Sequence, residues 1–310
     1  MQIIIIILIL LFGLINLQAN IFIQGQIQKI TPTEVFAEAI NLQSEIDSIK
    51  IHFQIDRKVT AYRFINGNFK PKHVWQLAYM LNVKINMFRL KYGLPRIEEV
   101  GIEPVLNVNP NMPYGMLRRL ITEVKIIKRF LNIKDEVTYD QHISGKNPTD
   151  VFNKLLYISK NLDILNEMEI DPNAVFSQVM RVYQDVSIVL KALNIKDITL
   201  PLNKIENIEP KDSFIQVLKL IKEIQRIQRT ADIQRTNFNS LKKELITSED
   251  VFIGIQMANA EFQTIKAYLG LIHEVSPPAK FYYNKTASDV NQMINWITKR
   301  VQLISHLDTK

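Results

Sequence analysis

A six-residue helix-start pattern, cap–Pro–x–acid–Val–Phe, recurs along this chain, and its spacing limits the fold more than any other feature. Full or near-full copies are Thr31-Pro32-Thr33-Glu34-Val35-Phe36, Asn147-Pro148-Thr149-Asp150-Val151-Phe152, Asp171-Pro172-Asn173-Ala174-Val175-Phe176 and Glu209-Pro210-Lys211-Asp212-Ser213-Phe214. Weaker copies are Lys70-Pro71-Lys72-His73-Val74-Trp75 and Asn109-Pro110-Asn111-Met112-Pro113-Tyr114. Two lack the proline: Thr247-Ser248-Glu249-Asp250-Val251-Phe252 and Thr286-Ala287-Ser288-Asp289-Val290-Asn291. Each residue type has a physical role at a helix N-terminus. A Thr, Asn or Asp cap accepts a bond from an orphan backbone N–H. Proline at the first helical position loses nothing, because its N–H would have had no partner. The acid three residues after the cap closes a capping box and meets the positive end of the helix dipole. An apolar residue before the cap (Ile30, Phe69, Ile170 or Ile246) pairs with the valine five positions on as a hydrophobic staple.

Between successive copies, the aromatic position advances by 39, 39, 38, 24, 38, 38 and 39 residues. The series is symmetric about its short middle step. It predicts an all-α tandem duplication of two four-helix units, residues 28–167 and 168–310. Asn291, in place of the aromatic in the last copy, reads as a polar terminal cap. Helical stripes follow the starts: Tyr114, Leu117, Ile121, Val124, Ile127 and Leu131, then Phe214, Val217, Ile221, Ile224 and Ile227, then Phe252, Ile255, Ala258, Phe262, Ile265 and Leu269. Gly93-Leu94, Asn132-Ile133, Asn194-Ile195 and Gly270-Leu271 mark helix ends. The connections that remain, such as 134–146 and 272–285, are about 15 residues, long for a bundle. An extended chain of that length returns along a whole helix, so successive helices run parallel through extended crossovers. The rival arrangement has a short second helix in some connections, for instance Asn237–Leu245, and antiparallel hairpins. Only the 24-residue step has no room for a return, so the fourth and fifth helices are expected to pack antiparallel or run end to end.

Residues 3–15 are apolar apart from Gly13, too short a run for a bilayer span and the length of a signal-peptide core. Leu17-Gln18-Ala19 suits cleavage, although no Lys or Arg precedes Lys29. The expectation is a signal peptide over residues 1–19, an exported periplasmic or extracellular protein, and no transmembrane span after cleavage. There are no cysteines, so disulfides and thiolate metal sites are excluded. The net charge of +7 fits an anionic cell-surface polymer as partner, and export argues against nucleic acid.

No nucleophile elbow, phosphate loop, zinc-protease helix, dinucleotide fingerprint or calcium loop occurs. The histidines His52, His73, His142, His273 and His306 share no helix face and read as surface or cap residues. No catalytic residue, cofactor or metal site is therefore expected. Two binding surfaces stand out. Lys222, Arg226 and Arg229 share a helical face by spacings of four and three, a candidate docking face for an anionic partner or an ordinary solvated face. Phe281, Tyr282 and Tyr283 form an aromatic trio in the last connection, either covering the end of the bundle or offering a stacking surface for a ligand or sugar. These features predict a non-catalytic binding or scaffold protein, with an unidentified protein or anionic surface polymer as partner and self-association as a further option. The alternative is a small-molecule sensor or carrier with a pocket between bundle helices, where Gln256, Asn259, Asn291 and Asn295 are candidate polar contacts.

Overall fold

The computed structural model describes residues 29–59, 67–97, 108–139, 143–238, 245–277 and 279–305. The apolar N-terminal run, His142 and His306 lie outside the described residues. Those described form eight helices and no strands: α1 (Pro32–His52), α2 (Pro71–Lys91), α3 (Asn111–Phe130), α4 (Pro148–Asn166), α5 (Pro172–Ala192), α6 (Pro210–Thr230), α7 (Ser248–Tyr268) and α8 (Ala287–Gln302). The chain is all-helical, and every helix start falls within a copy of the repeated pattern.

The local chemistry at the starts follows the residue types. The backbone N–H groups of Thr31, Asn147 and Thr286 donate to Glu34, Asp150 and Asp289 at 2.7, 2.9 and 2.9 Å. Hydrogen bonds from Thr31 hold the Glu34 carboxyl below its usual range. Lys70 has no acceptor to offer, and at α2 the imidazole Nδ1 of His73 accepts the Lys70 N–H at 2.9 Å instead. The Asn109 copy starts late: Pro110 is the cap residue and α3 begins at Asn111. At the other end, Gln54, Gly93, Asn132, Asn194, Asp232 and Gly270 all take left-handed backbone, with φ between 53° and 73°. In each case the next N–H bonds back to a carbonyl five residues earlier, as in Ile133 to Lys128 at 2.8 Å, which stops the helix and satisfies an orphan carbonyl.

Neighbour relations are regular. α1 and α2 each pack on α3 and α4, α5 and α6 each pack on α7 and α8, and α2 packs on α7. Pro32 and Val35, Pro71 and Val74, Pro110 and Pro113, and Pro148 and Val151 meet around one small apolar gap, so α1 to α4 all start at the same end. Their ends also meet: Lys91 Nζ donates to the Leu165 carbonyl at 3.1 Å. These four helices are parallel, so the described connections between them are extended crossovers. The short helix considered within Asn237–Leu245 falls mostly outside the described residues. α6 and α8 are parallel as well, because Ser213 reaches Ala287 near their starts and Arg226 reaches Ile304 near their ends.

α2 and α7, by contrast, run antiparallel. Lys84 late in α2 donates to Glu249 at the start of α7 at 2.7 Å. His73 at the start of α2 meets Glu261 late in α7 at 2.8 Å. α5 runs parallel to α7, because Gln178 meets Gln256 in their first halves and Asp185 meets Lys266 further on. α4 and α5 therefore point in opposite directions, which rules out the end-to-end run that their short connection also allowed. α2 and α7 are also buried along almost their whole length, so polar positions beside the apolar ones, including those flanking the Phe252–Leu269 stripe of α7, lie in the interior as well. Charged side chains on them must then find partners inside. Lys84 is held by Glu249, by Asp163 at 2.5 Å and by the Ser159 carbonyl. Lys160 and Ser159 complete the shell of Glu249. Lys72 pairs with Glu261 at 2.9 Å, and Gln228 donates to the same carboxylate at 2.6 Å. A third buried pair, Lys266 with Asp185 at 2.6 Å, ties α7 to α5.

Of the surface and cap roles expected for the histidines, His73 takes the cap role at the start of α2, but it is not at the surface. It is fully buried. Its apolar faces lie against Phe69 and Phe238, with ring centroids 5.7 and 5.6 Å away. His52 and His273 are exposed, as expected.

Candidate functional site

The aromatic trio lies at a cleft. The start of α5 and the last turns of α2 leave a gap of about 220 Å³, and residues 279–283 close one side of it. Val83, Met87 and Leu90 from α2, Met168, and Ala174 from α5 supply most of its apolar wall. The segment is held at several points. Arg181 donates to the Pro277 carbonyl at 3.3 Å, and the Lys285 N–H donates to Asn173 Oδ1 at 2.8 Å. Tyr282 sets its ring edge against Phe176, with centroids 5.0 Å apart, and Lys285 lies over the same Phe176 ring at 4.7 Å.

The three aromatics differ in burial. Tyr282 is half-buried and packs on the core, so it covers the end of α5. Phe281 and Tyr283 are 54% and 76% exposed and line the cleft mouth. The Arg96 guanidinium stacks 3.6 Å from the Phe281 ring centroid. A cation over a ring face is attracted by the ring's quadrupole, which steadies Phe281 at the mouth. Lys280 adds a second cation to the lining. The one carboxylate there, Asp171, is already used: Oδ1 accepts the Ala174 N–H at 2.9 Å and Oδ2 accepts from Asn173 at 2.8 Å. Arg96 and Lys280 are the two cations of the lining, and both are exposed.

The other residues singled out by sequence behave differently. Lys222 and Arg229 are exposed and line a groove beside α6. Arg226 does not join them. It pairs with Glu223 at 2.9 Å and donates to the Ile304 carbonyl at 3.0 Å, bracing α6 against the end of α8. Gln256 and Asn259 are buried between helices, where Gln256 approaches Gln178 at 3.4 Å and Asn259 accepts from Gln263 at 2.9 Å. Asn295 donates to the Asn291 carbonyl one turn earlier at 2.9 Å. None of these four lines the cleft or the groove. Sequence gave no sign of Arg96, because its role depends on a contact with Phe281, far along the chain.

Among the described residues, no cluster of three or more His, Asp or Glu side chains is arranged to hold a metal ion, and no helix is long and apolar enough to cross a membrane. No family model, curated protein or solved structure matches this chain.

Proposed function

We propose that this protein is an exported, non-catalytic binding protein, and that the cleft beside Phe281 and Tyr283 receives one acidic sugar ring of a cell-surface polymer. The observation that carries the reading is the pair of exposed aromatic rings, one backed by Arg96, at the mouth of a mostly apolar cleft with a cationic rim. An exposed aromatic face suits the apolar face of a sugar, and the cations suit its carboxylate. A cleft of about 220 Å³ is smaller than sites that enclose a whole ligand, which favours one ring of a longer molecule. Export rests on the apolar run over residues 3–15 and the residues that follow it.

Tandem duplication of two four-helix units belongs to the same proposal. Motif spacing and the matching neighbour pattern of α1–α4 and α5–α8 support it. The contact between the two sets joins the second helix of one to the third of the other, so any duplicated surface has diverged at the join.

The test is calorimetric titration of the full chain with uronic-acid oligosaccharides and with neutral oligosaccharides of equal length. Acidic oligosaccharides should bind, and Phe281→Ala with Tyr283→Ala should weaken them at least about tenfold, the scale expected for loss of two stacked faces. Equal binding by the variant, or preference for neutral sugars, would sink the reading.

A further inference from the structure

The groove beside α6 has a different build from the cleft. It measures about 910 Å³ and lies between α6 and residues 232–238. Its wall is fixed in place. The Ile233 N–H returns to the Gln228 carbonyl at 2.8 Å. Gln225 Nε2 donates to the Thr236 carbonyl at 2.7 Å. Phe238 is buried against His73 of α2. Leu218, Ile221, Ile233 and Phe238 provide an apolar floor. Lys222, Arg229 and Arg235 stand exposed around it, against a single acid, Asp232. Among the described residues none of these three cations has an acidic partner, whereas Arg226 on the same helix is paired. The cationic set therefore differs from the one helical spacing suggests: Arg226 leaves it and Arg235 enters from the following segment.

We infer that this groove binds a single-chain anionic amphiphile, its alkyl chain on the apolar floor and its carboxylate or phosphate head against Lys222, Arg229 and Arg235. A purely polyanionic partner would need a track of cations and would gain nothing from the four apolar side chains. An amphiphile uses both, because the chain leaves water while the head meets the positive charge that stands exposed around the groove. The volume lies within the range of sites that enclose most of a small ligand.

The experiment is titration of the full chain with dodecyl phosphate and with laurate, both below the concentration at which they form micelles. Inorganic phosphate, polyphosphate and dodecyl maltoside serve as comparisons. Both anionic amphiphiles should bind one per chain, and their relative affinity identifies the preferred head. Lys222→Ser with Arg235→Ser should weaken both at least about tenfold without lowering the melting temperature, since these side chains are exposed. Leu218→Asp, in the half-buried floor, should weaken both as much. Arg226→Ser should leave affinity unchanged, and so should Phe281→Ala with Tyr283→Ala, which separates this site from the cleft. Four results would overturn the inference. These are no binding of either amphiphile, equal binding by the Lys222/Arg235 variant, equal binding of polyphosphate or phosphate, and equal binding of the uncharged detergent.

Discussion

His73 shows how burial changes a residue's chemistry. Its Nδ1 accepts the Lys70 N–H, so the ring proton sits on Nε2 and is donated to Glu261. Burial lowers the pKa of His73 below its ordinary 6.5, although Glu261 opposes that shift. Burial pushes Glu261 upward, but its hydrogen bond from His73 and the charge of Lys72 more than offset this and hold it at about 2. Burial likewise raises Glu249, and Lys84 and Lys160 together bring it to about 2. Asp163 goes the other way: burial outweighs the pull of Lys84, and its carboxyl is pushed up to about 6. The stability consequences have definite signs. Below pH 6.5 the unfolded chain protonates the histidine before the folded chain does, so stability falls as pH drops. Between 4.5 and about 2 the depressed carboxylates of Glu249 and Glu261 make it fall again. Asp163, which takes up its proton earlier in the folded state, offsets part of the first loss between about 6 and 3.8. Melting temperature measured against pH should therefore decline in two limbs. His73→Gln should remove the upper limb and leave the lower one, and an unchanged upper limb would exclude His73 as its source.

At the scale of the helix, packing outweighs propensity wherever backbones come close. Gly254 in α7 lies where a Cβ would meet Val217 Cγ1 of α6 at 2.7 Å. Alanine there improves helix propensity by roughly 0.8–1.0 kcal/mol but forces two parallel helices apart, and overpacking costs about 1–3 kcal/mol. Gly115 in α3 has nothing within 4 Å of its would-be Cβ. Urea denaturation should show Gly254→Ala destabilised and Gly115→Ala stabilised by up to about 1 kcal/mol. The opposite signs test the close approach of α6 and α7 directly. Helix starts were legible because Pro, capping residues and N3 acids act within a single turn. Four of the six Schellman-type ends were legible because Gly and Asn favour left-handed backbone. Those at Gln54 and Asp232 were not, since these residue types adopt that conformation only when the surrounding structure holds them there.

Across the whole molecule, two sets of parallel helices meet in opposite directions along α2 and α7. Parallel packing gathers positive helix ends, and the N3 acids Glu34 and Asp150 lie where that charge accumulates. The join is both the most buried and the most charged part of the interior. Removing one member of such a pair strands the other, at about 3–5 kcal/mol. Lys84→Ala should cost on that order in chemical denaturation, whereas Lys222→Ala, exposed on the groove rim, should fall within about 0.5 kcal/mol of the parent. Hydrogen exchange should be slowest in α2 and α7 and fastest in the largely exposed connection 196–207. Equal protection across all eight helices would show that the join is not the most stable part.

The sequence by itself determined the helical class, where the helices start and which stripes are apolar, because capping and periodicity act over a few residues. The tertiary structure alone decided between parallel helices and the antiparallel hairpins that the connections also allowed. It alone decided the burial of His73, the pairing of Lys84 with Glu249, the diversion of Arg226 and the placing of Arg96 on Phe281. Those outcomes depend on side chains roughly 75 to 190 residues apart coming within a few ångströms. Packing sets such distances, and no local pattern in the chain encodes them.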